Sequence, residues 1–382
     1  MKFAHLGDLH LGKNVNGFSM IEDQKYILKE IIDQLDIEKV DAVLIAGDVY
    51  DKSIPPESAV SLFDDFLNKL HDRSLPVLIV SGNHDSAERL DFASSLLADV
   101  NIHMAGEYKG TITKVTLNDA HGPVNFYLMP FVRPSHVRRY YPDTAITDYT
   151  SAIATAIEAE SIDPTVRNVF IGHQFVLGAT KAGSEEITLG SLDLVEASVF
   201  EAFDYTALGH IHRPQNVIKN KIRYAGSPLK YSMNEKDQLK VLTIVELNDK
   251  GQTPVITEKS LTPLRDMVEL TGTFAELTSS EFAEKVNANN YLRIVLTDEE
   301  VIPDAISLLR RQYPYIMELD YCNRRSLYVS NLQNNDQQDE PDNPLELFIK
   351  LFEQQNGKSL SEEQLTFVQD RICRVFQKEE SL

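Results

Sequence analysis

Five short apolar runs in this chain end in glycine and then in an acid, an amide or a histidine. They read FAHLGDLH, AVLIAGD, LIVSGNHD, VFIGH and TALGHIH, beginning at Phe3, Ala42, Leu78, Val169 and Thr206. Apolar runs with little polar alternation are typical of strands that are buried on both faces of an α/β sheet. Functional groups in such sheets gather just beyond the carboxyl ends of the strands. The repeated pattern therefore predicts one site that is assembled from five strand ends.

The side chains at these endings are the candidate site residues. They are Asp8, His10, Asp48, Asn83, His84, His173, His210 and His212. A single one would more often be a helix cap, an Asx turn or a surface histidine, but five endings of the same kind favour a metal site. Carboxylate, imidazole and amide ligands without thiolate suit Mn²⁺, Fe²⁺, Mg²⁺ or Zn²⁺ at a hydrolytic site. Seven candidate ligands suit two ions with one bridging carboxylate, which together would polarise a phosphoryl group.

Composition narrows the class of protein. A length of 382 residues predicts two or three domains, and 42% hydrophobic residues are enough for a real core. The two cysteines, Cys322 and Cys373, exclude a disulfide framework and favour the reducing cytoplasm. The N-terminus turns polar after a few residues, so we expect no signal peptide and no membrane span.

The charge of the chain bears on its partners. The formal net charge is −21, which normally counts against a protein that binds duplex DNA, because that affinity comes from neutralising phosphates. A local basic strip, bound cations or a basic partner could supply the attraction instead.

The chain is expected to hold four segments. Residues 1–263 alternate strand and helix patterns and become strand-dense later, with residues 216–224 predicted as one strand, so we expect an α/β fold with two sheets and helices outside. Residues 264–330 predict a small β-α-β-α-β accessory domain, and 331–344 form a polar linker. Residues 345–382 predict two amphipathic helices, a helical hairpin too small to bury its apolar stripes alone. We favour docking of these helices on a partner, with docking on the body of the protein as the alternative.

The ordered series GDLH, GDVYD, GNHDS, GHQ and GHIH resembles the signature of the calcineurin-type metallophosphoesterases, whose fold is an α/β/β/α sandwich. Within that superfamily, GDLHLGK, AGDVYDKSIPPESA, ALGHIHRPQ and YAGSPLKYS resemble the SbcD family, the nuclease subunits of the bacterial SbcC–SbcD complex and counterparts of the eukaryotic MRN nuclease. The resemblance covers the whole chain.

The resemblance implies a function. It implies a Mn²⁺-dependent DNA nuclease, with Mg²⁺ or Fe²⁺ as other candidate ions, that acts with the SbcC ATPase in DNA end processing, repair and recombination. Such an enzyme is a double-strand exonuclease and a single-strand and hairpin endonuclease. The resemblance further implies a homodimer within a heterotetramer, docking on SbcC through the C-terminal helices, and a cytoplasmic protein that joins the nucleoid when bound to DNA, with no membrane association.

The resemblance also assigns roles to the site residues. One ion would be held by Asp8, His10, Asp48 and His212, and the other by Asp48, Asn83, His173 and His210. His84 would be the catalytic histidine that stabilises or protonates the leaving oxygen, and Asp85 is expected to orient it. Archaeal members carry a second histidine where this chain has Asp51.

A basic and aromatic segment, FVRPSHVRRYY, begins at Phe131. Its arginines, Arg133, Arg138 and Arg139, could grip phosphates while the aromatic rings stack on bases, although a solvated loop fits equally well. Two rival functions remain: a small-molecule phosphatase or phosphodiesterase on the same fold, and a non-catalytic scaffold with a vestigial site. A scaffold usually loses ligands, and here every one is present.

Overall fold

The computed structural model describes residues 1–180, 194–322, 344–356, 358–361, 364–369 and 371. The chain divides into two compact units, Met1–Met267 and Val268–Leu382. The predicted linker, apart from Pro344, and the last predicted apolar positions, Ile372, Val375 and Phe376, lie outside the described residues.

The first unit is built from sixteen strands and six helices among the described residues. The strands are β1 Lys2–Leu6, β2 Asn14–Val15, β3 Phe18–Ser19, β4 Ala42–Ala46, β5 Val77–Val80, β6 Ile102–Ala105, β7 Thr113–Asp119, β8 Gly122–Leu128, β9 Arg167–His173, β10 Phe175–Val176, β11 Leu194–Val195, β12 Tyr205–Gly209, β13 Gln215–Ile218, β14 Ile222–Tyr224, β15 Val241–Glu246 and β16 Val255–Ser260. The helices are α1 Ile21–Glu38, α2 Glu57–His71, α3 Ala87–Leu90, α4 Ser94–Ala98, α5 Pro134–Arg138 and α6 Tyr149–Glu158, with 3₁₀ helices at Ala197–Phe200 and Met233–Glu235.

Two six-stranded sheets form the centre of this unit. The first has the order β16–β15–β1–β4–β5–β6, and β1, β4, β5 and β6 run parallel in it. The second has the order β13–β14–β12–β9–β8–β7, and β14, β12, β9 and β8 run parallel. The carboxyl ends of the parallel strands therefore lie along one edge of each sheet.

The inner faces of the two sheets share one apolar core. It contains Phe3, Leu44 and Leu78 of the first sheet together with Phe126, Ile171 and Ala207 of the second. Complete burial of side chains of this size contributes about 1.5–3 kcal/mol each. On the outer face of the second sheet, Phe170 and Leu208 pack in a cluster with Ile153 of α6. The predicted two-sheet α/β architecture with helices outside is confirmed.

Helix α1 owes its position to an apolar stripe. Ile27, Ile31 and Leu35 recur at a spacing of four residues and are fully buried. The helix ends where Lys39 takes a left-handed conformation, and the amide of Lys39 donates to the carbonyl of Leu35.

Residues 216–224 differ from the expected single strand. They belong to a hairpin in which β13 and β14 pair antiparallel, with a register shift between Asn216 and Ile218. Asn220 makes the turn with a φ of 56°, a left-handed conformation that asparagine tolerates well. The reversal falls on the polar run Lys219, Asn220 and Lys221, which interrupts the apolar pattern between the two strands.

The second unit contains the accessory fold. Its elements are β17 Met267–Gly272, α7 Phe274–Leu277, α8 Ser280–Ala283, β18 Tyr291–Leu296, α9 Ala305–Leu309 and β19 Ile316–Tyr321, followed by α10 Pro344–Asn356. The strands form a sheet of order β17–β18–β19 around a core that includes Leu277, Ile294 and Leu309. Residues 364–369 are also helical. Within the described ranges, every helix is too short or too polar to span a bilayer.

Candidate metal centre

The side chains predicted from the sequence come together at the carboxyl ends of five strands. Asp8 and His10 follow β1, Asp48 follows β4, and Asn83 and His84 follow β5, all in the first sheet. His173 is the last residue of β9, and His210 and His212 follow β12, both strands of the second sheet. The site is therefore shared between the two sheets.

One group of candidate ligands is formed by Asp8, His10 and His212. Each offers one atom, and these atoms lie within 4.8 Å of one another. The Nε2 atoms of His10 and His212 are 3.1 Å apart. The Oδ1 atom of Asp8 accepts from the amide of His210, whereas its buried Oδ2 atom has no hydrogen-bond partner among the described residues. A buried carboxylate oxygen that faces imidazole nitrogens fits a cation.

A second group is formed around Asn83. Its Oδ1 atom is 3.0 Å from Nε2 of His173 and 3.0 Å from Nδ1 of His210. His173 donates through Nδ1 to the carbonyl oxygen of Ala46 at 2.8 Å. This bond keeps a proton on Nδ1 and directs Nε2 towards Asn83 and Asp48, where a metal ion could take the place of a proton on Nε2.

Asp48 lies between the two groups. Its Oδ2 atom is 3.5 Å from Nε2 of His10 and 3.2 Å from Nε2 of His173. Its Oδ1 atom accepts from the amide of His84 at 2.9 Å. One oxygen of this carboxylate is therefore held by the backbone while the other faces both groups, the arrangement that a bridging ligand requires.

Two glycines make room for these ligands. A Cβ atom on Gly82 would lie 2.1 Å from Oδ1 of Asp48, and one on Gly47 would lie 2.3 Å from Nδ1 of His173. The ligands themselves are strained, since Asp8 and Asp48 have φ values of 52° and 51°. Such conformations cost about 1–3 kcal/mol each and persist where the surroundings over-determine them, most often at functional sites.

His84 is oriented by the backbone. Its Nδ1 atom donates to the carbonyl oxygen of Asp51 at 3.1 Å. The prediction that Asp85 orients this ring is wrong, because the Asp85 carboxylate instead accepts from the amides of Val49, Tyr50 and Gly82 at 2.9–3.1 Å. Asp85 fixes the loops that follow β4 and β5, since three backbone donors converge on its two oxygens.

The buried carboxylates and histidines of the site shift one another's pKa values. Burial acts to raise the pKa of Asp48, but the nearby His173 and His10 outweigh it and hold that pKa well below its usual range. Burial acts to lower the pKa of His173, but the Asp48 carboxylate outweighs it and raises that pKa to about 9. Burial also raises the pKa of Asp8 to about 6. A cation that displaces the His173 proton would neutralise the same carboxylates, and its binding would release protons.

Sequence reasoning missed the residues that support the ligands from outside. The Gln24 amide donates to the carbonyl of His10 at 2.7 Å, and the Tyr231 hydroxyl donates to the carbonyl of Leu9. Glu235 and Lys240 lie behind His212 and are buried. The stretch NEKDQLK that contains both looks like a solvated surface segment, so the sequence gives no signal for them.

The predicted nucleic-acid residues lie on and around α5. The Arg138 guanidinium donates to the carbonyl of Ile146 at 2.7 Å, and that of Arg139 lies 6.0 Å from the centre of the Tyr140 ring. Arg133 is exposed at the start of the helix. The segment connects to the metal centre through Phe131, whose ring centre is 6.3 Å from that of His173.

Two family models match the chain. The model of the calcineurin-like phosphoesterases matches residues 1–214, which include all eight predicted site residues. The model described as the type 5 capsule protein repressor C-terminal domain matches residues 263–356.

Individual proteins are similar as well. The SbcD subunit of the nuclease SbcCD of Staphylococcus epidermidis is 33% identical over 323 residues, covering 84% of this chain and 85% of that protein. A solved structure of a dimetal phosphatase from Danio rerio has a TM-score of 0.42 and 12% identity, and covers 69% of this chain and 98% of its own. From the family model and the identity to the staphylococcal protein, the chain belongs to the calcineurin-like phosphoesterases and, among them, to the SbcD family.

Proposed function

We propose that this protein is the nuclease subunit of an SbcC–SbcD complex. It hydrolyses DNA phosphodiesters as a double-strand exonuclease and as an endonuclease on single strands and hairpins, in DNA end processing, repair and recombination. The observation that carries the proposal is the pair of buried ligand groups joined by Asp48 at the ends of five strands. The 33% identity to the staphylococcal SbcCD nuclease subunit favours a nucleic acid over a small phosphoester as the substrate.

Two divalent ions fit these groups. Asp8, His10, Asp48 and His212 would hold one, and Asp48, Asn83, His173 and His210 the other. We propose Mn²⁺, ahead of Mg²⁺ or Fe²⁺, because the chain belongs to the SbcD family; the donors, carboxylate and amide oxygens with imidazole and no thiolate, suit each of these ions. When bound, such a pair polarises the phosphoryl group and lowers the pKa of water.

His84 is the catalytic residue of this proposal. Because its Nδ1 atom donates to the Asp51 carbonyl, Nε2 is the nitrogen that remains to meet a phosphodiester. With a proton on each nitrogen, the ring could stabilise or protonate the leaving oxygen of the scissile bond from Nε2. Its amide meanwhile holds Oδ1 of Asp48, so the same residue couples the acid to the bridging ligand.

DNA contacts are assigned to two places. Arg133, Arg138 and Arg139 would bind phosphates beside the centre, where bound cations offset the net charge of −21. The accessory domain, residues 264–330, would orient the DNA. The nuclease domain proper is then residues 1–263.

The C-terminal segment is proposed as the docking element for SbcC. Residues 331–344 would be the tether and residues 345–382 the helical hairpin. Phe348, Phe352, Leu360, Phe367 and Val368 line an apolar cavity of about 280 Å³, and Phe348 and Phe367 are exposed. Amphipathic helices with exposed apolar stripes suit the helix-in-groove mode of recognition, here on the coiled-coil base of the ATPase.

A homodimer within a heterotetramer is the proposed assembly. Support comes from exposed apolar side chains in the first unit. Val60 of α2 and Phe92, between α3 and α4, line one surface cavity, and Ile54 and Leu96 of α4 are exposed as well. Exposed patches of this kind mark protein interfaces. We place the complex in the cytoplasm, on the nucleoid when it is bound to DNA, in keeping with only two cysteines.

The two rivals are weaker. A phosphodiesterase for small molecules would need neither the accessory domain nor exposed apolar helices. A non-catalytic scaffold would have no reason to keep all seven candidate ligands, four of which, Asp8, His10, Asp48 and His210, have a positive φ.

A labelled linear duplex, incubated with Mn²⁺ in the presence and absence of SbcC and ATP, tests the proposal. We expect slow or partial cutting by the nuclease alone and strong ATP-dependent degradation with SbcC. Rapid cleavage of a model phosphodiester together with inert DNA under every condition would favour the small-molecule enzyme. Inertness towards both substrates would favour the scaffold.

A further inference from the structure

Glu235 lies behind His212, on the side of the ring that faces away from the metal centre. Its Oε1 atom is 3.4 Å from Nδ1 of His212, whose Nε2 atom points to Nε2 of His10 at 3.1 Å. Glu235 is completely buried, and His212 is only 3% exposed. A carboxylate thus faces the outer nitrogen of one proposed metal ligand.

Lys240 holds this carboxylate in place. Its ammonium is 2.6 Å from Oε2 of Glu235 and also donates to the carbonyl oxygen of His212 at 2.8 Å and to the Ser227 hydroxyl at 2.9 Å. The lysine therefore ties the carboxylate to the backbone of the same histidine. The orientation of Glu235 and the position of His212 are set by one shared cation.

Burying the Glu235–Lys240 ion pair is energetically costly. Removing two charges from water costs several kcal/mol per ion, and apolar residues of similar volume often stabilise a fold as well or better. The neighbouring Lys236 and Asp237 of the same stretch are not buried, so the segment does not bury charge indiscriminately. Only the two charged residues that reach His212 are taken into the interior.

We propose that Glu235, fixed by Lys240, is a positioning residue that keeps the proton of His212 on Nδ1 and the metal-facing Nε2 atom unprotonated. The carboxylate accepts the Nδ1 proton in a hydrogen bond, which sets both the tautomer and the plane of the ring. This inference rests on the proposed metal centre and concerns only one of its two ions, the one assigned to Asp8, His10, Asp48 and His212.

The substitution Glu235→Gln isolates the effect. The glutamine has the same shape but one acceptor oxygen instead of two. Because the Lys240 ammonium can only donate hydrogen bonds, the glutamine oxygen should stay turned towards Lys240. The amide NH₂ then faces His212 and favours a bare Nδ1, which moves the ring proton to Nε2. Since outer partners of this kind are worth about 10–100-fold in metal affinity, one of two ions should bind that much more weakly.

Titration with Mn²⁺ of the full-length protein measures this. Wild type should bind two ions, and Glu235→Gln should bind one as before and the second about 10–100-fold more weakly. In ¹⁵N spectra of histidine-labelled, metal-free protein, the His212 signals should change from the Nδ1–H to the Nε2–H tautomer. Asp119→Asn is a matched control. It removes the carboxylate of another largely buried ion pair, the one between Asp119 and Arg167, and does not contact a proposed ligand. This variant should bind both ions as tightly as wild type does.

If Glu235→Gln does not fold, the pair Glu235→Leu with Lys240→Met serves, because it leaves no unpaired buried charge. It should also bind one ion normally and the other weakly.

The outcomes separate the inference from the function on which it rests. Wild type that binds fewer than two ions overturns the two-ion centre. If wild type binds two ions and the Glu235→Gln variant either binds both as tightly as wild type or loses both to the same extent, only the positioning role of Glu235 is overturned. An unchanged His212 tautomer in the variant overturns that role as well.

Discussion

His84 donates through Nδ1 to the backbone carbonyl oxygen of Asp51, 3.1 Å away. The carboxylate of Asp51 points away from His84, to the Lys13 ammonium at 2.6 Å and towards Nδ1 of His10 at 3.6 Å. The acceptor that orients the proposed catalytic ring is thus a backbone atom, which any side chain at position 51 would leave in place.

We therefore expect His84→Ala and Asp51→Asn to behave differently. His84→Ala should keep both metal ions and lose about 10²–10⁴-fold in turnover, because a positioned acid is gone. Asp51→Asn should lose at most several-fold, since the carbonyl remains. Turnover of a model phosphodiester and elemental analysis measure both. Loss of an ion from His84→Ala would instead make His84 a ligand.

Asp48 should matter to both ions. Its Oδ2 atom faces His10 and His173 at once, so Asp48→Ala removes a ligand from each group. His10→Ala removes a ligand from one group only. Elemental analysis after dialysis should find Asp48→Ala nearly free of Mn²⁺ and His10→Ala with about half the wild-type content. Equal metal content in the two variants would show that Asp48 does not bridge.

Gly82 should tolerate no side chain. In Gly82→Ala the new methyl group would lie 2.1 Å from Oδ1 and 2.4 Å from the backbone nitrogen of Asp48, so both the carboxylate and the loop that carries it must shift from their position between the two groups. We expect weaker Mn²⁺ binding and a loss of about 1–3 kcal/mol in the free energy of unfolding. Gly272→Ala is the control, because its nearest neighbours are two side-chain ends, Oε2 of Glu276 and Cδ2 of Leu277, both at 3.3 Å. Unchanged Mn²⁺ affinity in Gly82→Ala would contradict the geometry.

The ion pair of Asp119 with Arg167 should make stability depend on pH. Hydrogen bonds from Arg167 hold the pKa of Asp119 well below its usual range. A carboxylate with a lowered pKa in the folded state stabilises the fold above its unfolded pKa of about 3.9 and loses that contribution as the pH falls below it. Asp119→Asn should therefore cost about 1–3 kcal/mol at neutral pH. In urea unfolding, its difference from wild type should shrink steadily below about pH 4; a constant difference would refute this account.

A chain that ends at Asn331 tests the C-terminal helices. It should keep its metal ions and its cleavage of simple phosphodiesters, because all seven proposed ligands precede Arg213. It should lose most of its association with SbcC in size-exclusion chromatography, together with ATP-dependent cutting of duplex ends. A sharper variant, Phe348→Asp with Phe367→Asp, changes only exposed apolar positions and should have the same effect. Full co-elution of the truncated chain would move the docking surface to another part of the protein.

The sequence pointed to the candidate metal-site residues more clearly than to the residues that hold them in place. Asp8, Asp48 and Asn83 could be found because each follows a glycine at the end of an apolar run, a pattern that local chemistry makes visible. The two-sheet fold followed from the same runs, since buried parallel strands leave few polar positions.

What could not be predicted depends on tertiary contacts. Glu235 becomes a buried residue only because Lys240 and His212 surround it, and nothing in its own stretch differs from a solvated turn. The sequence neighbour of His84, Asp85, was the natural candidate to orient that ring. The structure uses a carbonyl 33 residues away instead, because the Asp85 side chain turns towards backbone amides.

The proposed ligands are divided between the two sheets, with Asp8, Asp48 and Asn83 on one and His173 and His210 on the other. Each ion would then work as a cross-link between the layers of the sandwich, and part of its binding energy would become folding energy. A chelator would accordingly act on this domain as a selective denaturant, because removing the ions weakens the attachment of the two sheets to each other at the carboxyl ends of their strands. Any partner that separated the two sheets at that edge would pull the ligands of each ion apart and so inactivate the nuclease without contacting a reacting atom.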